Sequence, residues 1–197
     1  MSQMKDEVRA AVVERFAAVA AEPGRETKFP VGPASAKKLG YDPHEIDALP
    51  ATATESFCGV GNPLGLGELR PGQTVLDLGS GAGLDSLLAA WRVGPTGRVI
   101  GVDLCPEMVV KARNNAERLG LRYVEFVEAG IETLPLPDAS ADVVISNGVL
   151  NLCPDKPKVL AQAFRVLRPG GRLQMADILL HDDVTPGQVA CLGEWSD

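Results

Sequence analysis

A chain of 197 residues with 45% hydrophobic and 23% charged residues can build one domain with a substantial core, which excludes wholesale disorder. Its net charge of −7, from 26 acids against 19 lysines and arginines, disfavours a nucleic-acid backbone as main partner, since that asks for a basic face. Cys58, Cys105, Cys153 and Cys191 are widely spaced with no C-x-x-C pair or His cluster, which disfavours a zinc site or disulfide framework; no apolar run is long enough to span a membrane. The composition is that of a soluble protein of the reducing cytoplasm, with no metal site.

In chain order, the first element is a helix over about residues 5–21 carrying Val8, Val12, Phe16 and Val19 on one face, expected to pack on the domain rather than on a membrane. Prolines 23, 30, 33, 43 and 50 then allow only short helices. One lies near 34–39; another is capped by Asp42 with Pro43 in its first position. Residues 1–70 thus form a helical N-terminal arm or lid, and 71–197 the main domain. From Gln73, strand-like runs at 74–79, 98–104, 123–129, 142–147 and 171–180 alternate with helical runs at about 82–92, 106–119 and 156–168. In the second helix Val109, Ala112, Ala116 and Leu119 form a stripe, opened by Pro106 and closed by Gly120. The stretch "GIETLPLPDASA" (130–141) has too much proline for a full helix. Such alternation implies an α/β fold with right-handed crossovers and a parallel sheet.

The run "TVLDLGSGAGLDSLLAA" (74–90) places three glycines between a buried strand and a helix, at the strand end where open α/β sheets bind ligands. Asp103 ends the next strand, 20 residues beyond Gly83, placed to accept from a ribose diol. These features admit both NAD and S-adenosylmethionine (SAM). Two others separate them. The glycines run G-x-G-x-G rather than G-x-G-x-x-G, and Asp77 stands two residues before Gly79. A carboxylate there repels a pyrophosphate and attracts an ammonium and a sulfonium, while backbone N–H groups at the helix start can receive a carboxylate. SAM fits better; an NAD(P)-dependent oxidoreductase is the more distant alternative.

The motif D77-L-G79-S-G81-A-G83, Asp103 in "VIGVDLCPEM", "GIETLPLPD" and "RVLRPGGRL" resemble those of class I SAM-dependent methyltransferases. The segments "ESFCGVGNPLGLGELRPGQ", "VGPTGRVIGVD", "DVVISNGVLNLCPDK" and "FRVLRPGGRLQMADI" are similar to the bacterial arsenite methyltransferase family, over about residues 40–180. The resemblance implies a Rossmann-like three-layer sandwich with a mostly parallel sheet in the order 3-2-1-4-5, the family's last two strands being absent. It implies that Asp77, Gly79, Ser80, Gly81 and Gly83 hold the methionyl part of SAM, with Asn147 facing that group. Asp103 would bind the ribose with Leu104 and Met108 beside the adenosine, and Gly130, Ile131 and Glu132 would border the adenine.

The chain also departs from that family. Its G-C-G-N-P turn reads G59-V60-G61-N62-P63 here, its S-N-C reads S146-N147-G148, and its third cysteine lies in a C-x-x-G-A segment beyond "CLGEWSD". Cys58 and Cys153 flank the first two positions and are the candidate substrate thiolates, against the simpler reading of both as small buried hydrophobes. Cys105 is read as packing, His44 and His181 as surface residues, and Lys37-Lys38 as a solvated pair, while Trp195 is read as covering a pocket or packing. A soft acceptor needs no general base, so the lack of a His–carboxylate dyad suits arsenic or sulfur and disfavours hydroxyl acceptors. The expected function is methyl transfer from SAM to a small acceptor, arsenite or its glutathione conjugate. The alternatives are a small-molecule C-, O- or S-methyltransferase, or a non-catalytic SAM-binding protein. The last strand leaves an apolar edge, "LQMADILL", which predicts either a truncated longer protein or a homodimer through that edge.

Overall fold

The computed structural model describes residues 2–26 and 28–179, with side chains from Lys5 onward. His181, Cys191 and Trp195 lie outside the described residues. Five strands form one sheet: β1 (Thr74–Leu78), β2 (Arg98–Asp103), β3 (Val124–Glu128), β4 (Ala141–Asn147) and β5 (Leu167–Ala176). Their order is β3-β2-β1-β4-β5, and every neighbouring pair is parallel. The chain runs outward from β1 to β3 and returns to the other side of β1 as β4. A crevice therefore opens at the carboxyl ends of β1 and β4, the switch point where such sheets take ligands.

Strand periodicity divides the core between two faces. Val75, Val99, Val143 and Ile145 face α5 (Leu84–Val93) and α6 (Pro106–Arg118), while Leu76, Leu78, Ile100, Val102 and Val144 face α7 (Lys156–Val166). Asp77 shares the parity of Val75, which turns its carboxylate toward α5. Of the expected stripe of α6, Val109, Ala112 and Ala116 are buried with Met108 beside them, while Leu119 is half-buried just past the helix end. No helix or strand occupies residues 129–140, in keeping with their prolines.

The arm comprises α1 (Ser2–Ala21), α2 (Pro33–Lys38), α3 (Pro43–Ala48) and α4 (Ala51–Thr54). Asp42 caps α3 by accepting from the His44 N–H at 2.8 Å. The four-residue α4 is too short to show a periodic signal. Tyr41, Ile46, Leu49, Ala53, Phe57, Leu64 and Leu69 belong to the same cluster as the α5 face of the sheet, so arm and sheet share one core. Asn115 bolts them together: wholly buried, it donates to the Ala82 carbonyl at 3.0 Å and accepts from the Thr52 hydroxyl at 2.5 Å.

β5 differs from expectation at both ends. It starts at Leu167 and stops at Ala176, against 171–180 read from the sequence. Leu167 already pairs with Ala141, and a register irregularity before Val143 takes up Pro169-Gly170. An edge strand tolerates a proline and a bulge because one side of its ladder has no partner to satisfy. At the far end Asp177 leaves the sheet, its carboxylate accepting from Leu150 N–H at 2.8 Å and Asn151 N–H at 3.1 Å. Among the described residues no helix is long and apolar enough to cross a membrane. Replacing Asn115 with Leu should cost about 2–4 kcal/mol, because it strands a buried carbonyl and a hydroxyl. Urea denaturation reads this as a lower midpoint at constant slope.

Candidate active site

A cavity occupies the switch point, with roughly 1060 Å³ of space between atoms, open solvent at its mouth included. That is the scale of a nucleoside-sized ligand. The turn after β1 supplies Gly79, Ser80 and Gly81 to its wall; the end of β2 supplies Asp103 and Leu104, and α6 supplies Met108. The loop after β3 adds Gly130, Ile131 and Glu132, and β4 ends on it with Asn147. Cys58 and Cys153 both line the same cavity. Of the residues singled out from sequence, Asp77 and Gly83 lie behind this wall: Asp77 accepts from the Ser86 hydroxyl at 2.6 Å, and Gly83 begins α5.

The turn is closely packed at Gly79 and open at Gly81, where a Cβ would meet nothing within 4 Å. Gly79 has φ +69°, and a Cβ there would run into the side chain of Val149. The Gly81 N–H donates to Asp103 Oδ2 at 2.7 Å, and the Cys105 N–H donates to Oδ1 at 2.9 Å, which fixes the Asp103 carboxylate at the end of β2. The Ser80 hydroxyl is buried on the wall with no hydrogen-bond partner. An orphaned hydroxyl in a cavity marks a place where a ligand can satisfy it.

Asn147 is a hydrogen-bonding hub on the cavity wall. Its Oδ1 accepts from the backbone N–H groups of Val60 (2.9 Å) and Gly61 (3.1 Å). Its Nδ2 donates to the Gly61 carbonyl (2.9 Å), the Tyr41 hydroxyl (3.0 Å) and Asp85 Oδ2 (3.1 Å). The amide is therefore spent on holding loop 59–61 and Asp85 in place. That loop brings Val60 against Gly148: a Cβ on Gly148 would lie 3.2 Å from Val60 Cγ1. The two positions where a resembling sequence carries cysteine are thus neighbours here, filled by a valine methyl and a hydrogen.

Sequence reasoning missed several wall residues. Arg9, Val12, Val13 and Phe16 of α1 lie over the cavity, and Arg9 donates to the buried Glu132 at 3.1 Å. The apolar stripe of α1 pointed to a packed face but not to what it covers. Cys105, read as packing, is buried at the start of α6 and also reaches the wall. Asp85, in the first turn of α5, is a buried carboxylate on the wall. From sequence it looks like an ordinary acid favouring a helix start. Its partner, Tyr41, donates to Oδ1 at 2.5 Å from 44 residues away, which no local pattern reveals.

Electrostatics follow from burial. Desolvation pushes Asp85 up to about 6 against the pull of Tyr41 and Asn147, and pushes Asp77 well above the carboxylate range with help from the Asp85 charge. Asp103 is raised by the same cause, offset by its backbone N–H donors. Burial also holds the Tyr41 hydroxyl protonated, and pushes the Cys58 and Cys153 thiols up to about 12 and Cys105 to about 11. The three described cysteines are unpaired, and among the described residues no group of three or more acids, cysteines or histidines is placed to hold a metal ion.

An all-parallel 3-2-1-4-5 sheet with a glycine turn and a ribose-side acid at its switch point defines the Rossmann-like methyltransferase class. A model of the methyltransferase domain matches residues 69–194, and the chain belongs to that family. It is 48% identical over 143 residues to the arsenite methyltransferase of Halobacterium salinarum, covering 73% of this chain and 36% of that protein. It is 43% identical over 107 residues to the ubiquinone/menaquinone biosynthesis C-methyltransferase of an Enterobacter species, covering 53% of this chain and 42% of that one. Among solved structures it resembles an arsenic(III) S-adenosylmethionine methyltransferase from Chlamydomonas reinhardtii (TM-score 0.58, 36% identity, 75% of this chain and 49% of that chain). The chain thus spans well under two thirds of the length of these relatives.

The residues present fit SAM. A Cβ at Gly81 would meet nothing within 4 Å, the Ser80 hydroxyl has no partner among the described residues, Asp103 would receive a ribose diol, and Ile131, Leu104 and Met108 give the wall an apolar part that suits a base.

The raised Asp85 carries a stability consequence. Its folded value of about 6 lies above the ordinary 3.8, so the native state holds a proton that the unfolded chain releases. Stability from this group is therefore full below pH about 4 and is lost as pH rises through about 6. Replacing Asp85 with Asn removes that dependence. Between pH 4 and 7 the unfolding free energy of the variant should gain on the parent by on the order of 2 kcal/mol, at about 1.4 kcal/mol per pKa unit. Chemical denaturation at stepped pH measures it; a difference that does not change with pH contradicts the assignment.

Proposed function

We propose that the chain is a SAM-dependent methyltransferase whose acceptor is a small soft centre, trivalent arsenic or a thiol-bound arsenical such as a glutathione conjugate. The observation that carries this reading is one cavity whose wall includes the glycine turn, Asp103 and two thiols free of disulfides, Cys58 within reach of the Asp103 charge and Cys153 within reach of Glu132. The 48% identity to an arsenite methyltransferase supports the acceptor class. The cofactor supplies a methyl group activated by attachment to a positively charged sulfur. The protein's part is to hold the acceptor in line behind that methyl and to keep water out.

The apolar face of α1, with Val12, Val13 and Phe16, roofs the cavity and serves the second task. Cys58 and Cys153 serve the first. Both are held protonated, yet arsenite brings its own proton acceptors: two thiols replace two of its hydroxyl groups and two waters leave. The arsenic lone pair needs no base, so a site without a basic dyad suffices.

Val60 and Gly148 favour a second reading, methylation of a carbon centre on an apolar acceptor, because they replace polar sulfur by a methyl contact at the cavity's edge. The likeness to a C-methyltransferase supports it. The partner under either reading is a second copy of this chain, supported by the outer edge of β5 with Leu173, beside Leu160 and the 82% exposed Phe164 of α7. Among the described residues three thiols free of disulfides, Cys105 and Cys153 buried and Cys58 half-buried, suit a reducing cytoplasm.

With SAM, glutathione and arsenite the chain should form S-adenosylhomocysteine and methylated arsenic. The double variant Cys58→Ser, Cys153→Ser should lose arsenite binding by more than about tenfold while SAM affinity stays within about twofold. Undiminished arsenite binding overturns the acceptor assignment. Absence of S-adenosylhomocysteine with arsenite and with a panel of carbon, oxygen and sulfur acceptors overturns the enzymatic reading.

A further inference from the structure

We propose that Asp85 is the residue that receives the ammonium group of the cofactor's methionyl end, and that Tyr41 and Asn147 are its positioning residues; this rests on the reading of the cavity as a SAM site. Three observations carry it. Asp85 lies on the cavity wall beside the glycine turn, whereas Asp77, the acid that the glycine motif itself points to, stands one layer behind with its carboxylate on Ser86.

The second observation is that the Asp85 carboxylate is buried without a cation. Its two oxygens are held by neutral donors, the Tyr41 hydroxyl on Oδ1 and the Asn147 amide on Oδ2. Arg92, on the same helix, ion-pairs with Glu45 at 3.2 Å and acts on Asp85 only through its field, with no ion pair between the two among the described residues. Asp77 is buried and Asp103 half-buried nearby, and neither takes an ion pair with a lysine or arginine among the described residues. A buried charge with hydrogen bonds but no counter-charge is costly, and a cationic ligand relieves that cost.

The third observation is independent of the acids. Ser80 lines the same wall and is more than nine-tenths buried, and its hydroxyl has no partner among the described residues. Polar atoms left unsatisfied at a cavity wall are satisfied by what enters it. The wall's polar side is thus split by position. Asp103 and Glu132, at the ends of β2 and after β3, bound the part suited to a nucleoside. Asp85 and Ser80, beside β1 and β4, bound the part suited to an amino acid. Tyr41 comes from the arm and Asn147 from β4, so the ammonium site exists only once arm and sheet have docked.

Calorimetric titration with three probes tests this. SAM and S-adenosylhomocysteine both carry the ammonium; methylthioadenosine carries neither ammonium nor sulfonium. In Asp85→Asn, SAM and S-adenosylhomocysteine should each bind more than about tenfold more weakly, as loss of a charge-assisted contact implies, while methylthioadenosine stays within about twofold. Tyr41→Phe keeps the ring in the core and removes only the hydroxyl, so it reads the positioning role even if Asp85→Asn does not fold. It should weaken both ammonium ligands about threefold or more and leave methylthioadenosine within about twofold. Unchanged affinity for the ammonium ligands in either variant overturns the assignment. So does a parallel loss for methylthioadenosine, which would mark a structural role. A parent chain that binds none of the three overturns the SAM reading itself.

Discussion

The organising constraint of this molecule is negative charge buried at the carboxyl end of a parallel sheet. Asp77 and Asp85 are nearly inaccessible, on β1 and α5, Asp103 at the end of β2 is half-buried, and among the described residues all three are hydrogen-bonded to hydroxyls, an amide and backbone N–H groups. Apolar strands and a closely packed α5 hold them there, with Val75, Leu76, Leu87 and Leu88 fully buried around them. Such an arrangement costs folding free energy and is retained where a ligand of opposite charge makes use of it. The glycine turn, the bound-in amide of Asn147 and the arm's Tyr41 all serve to fix those acids around one cavity.

Much of this was legible in the sequence, and the reasons are physical. Runs such as 98–104 and 142–147 are buried on both faces, so they read as continuous apolar strands, and their alternation with helices fixed a parallel sheet. Asp42-Pro43 announced α3 through local capping chemistry alone. The fifth strand shifted by four residues because pairing with Ala141 was worth continuing through Pro169-Gly170, a tertiary preference that overrides the local turn signal.

The candidate site was legible only where its chemistry is local. Gly79, Ser80, Gly81 and Asp103 belong to contiguous motifs and come together on the wall. Tyr41, Asp85 and Asn147 are separated by 44 and 62 residues and meet only in the folded chain. Asn147, expected to face a ligand, lines the cavity, and its amide also holds loop 59–61, which is how that loop comes to press Val60 onto Gly148. Val60 and Gly148 thus put a methyl contact at two positions where the resembling family carries cysteine, while Cys58 and Cys153 line the same cavity.

The most direct measurement of the central claim is the proton balance of cofactor binding. Calorimetry of SAM binding near pH 6 in buffers of different ionisation enthalpy counts protons exchanged with solvent. Acids that are partly protonated while buried and uncompensated must release protons when a cation arrives, so net release that fades toward pH 8 is expected. Binding with no proton release at any pH, or preferential binding of a dinucleotide pyrophosphate, would contradict it.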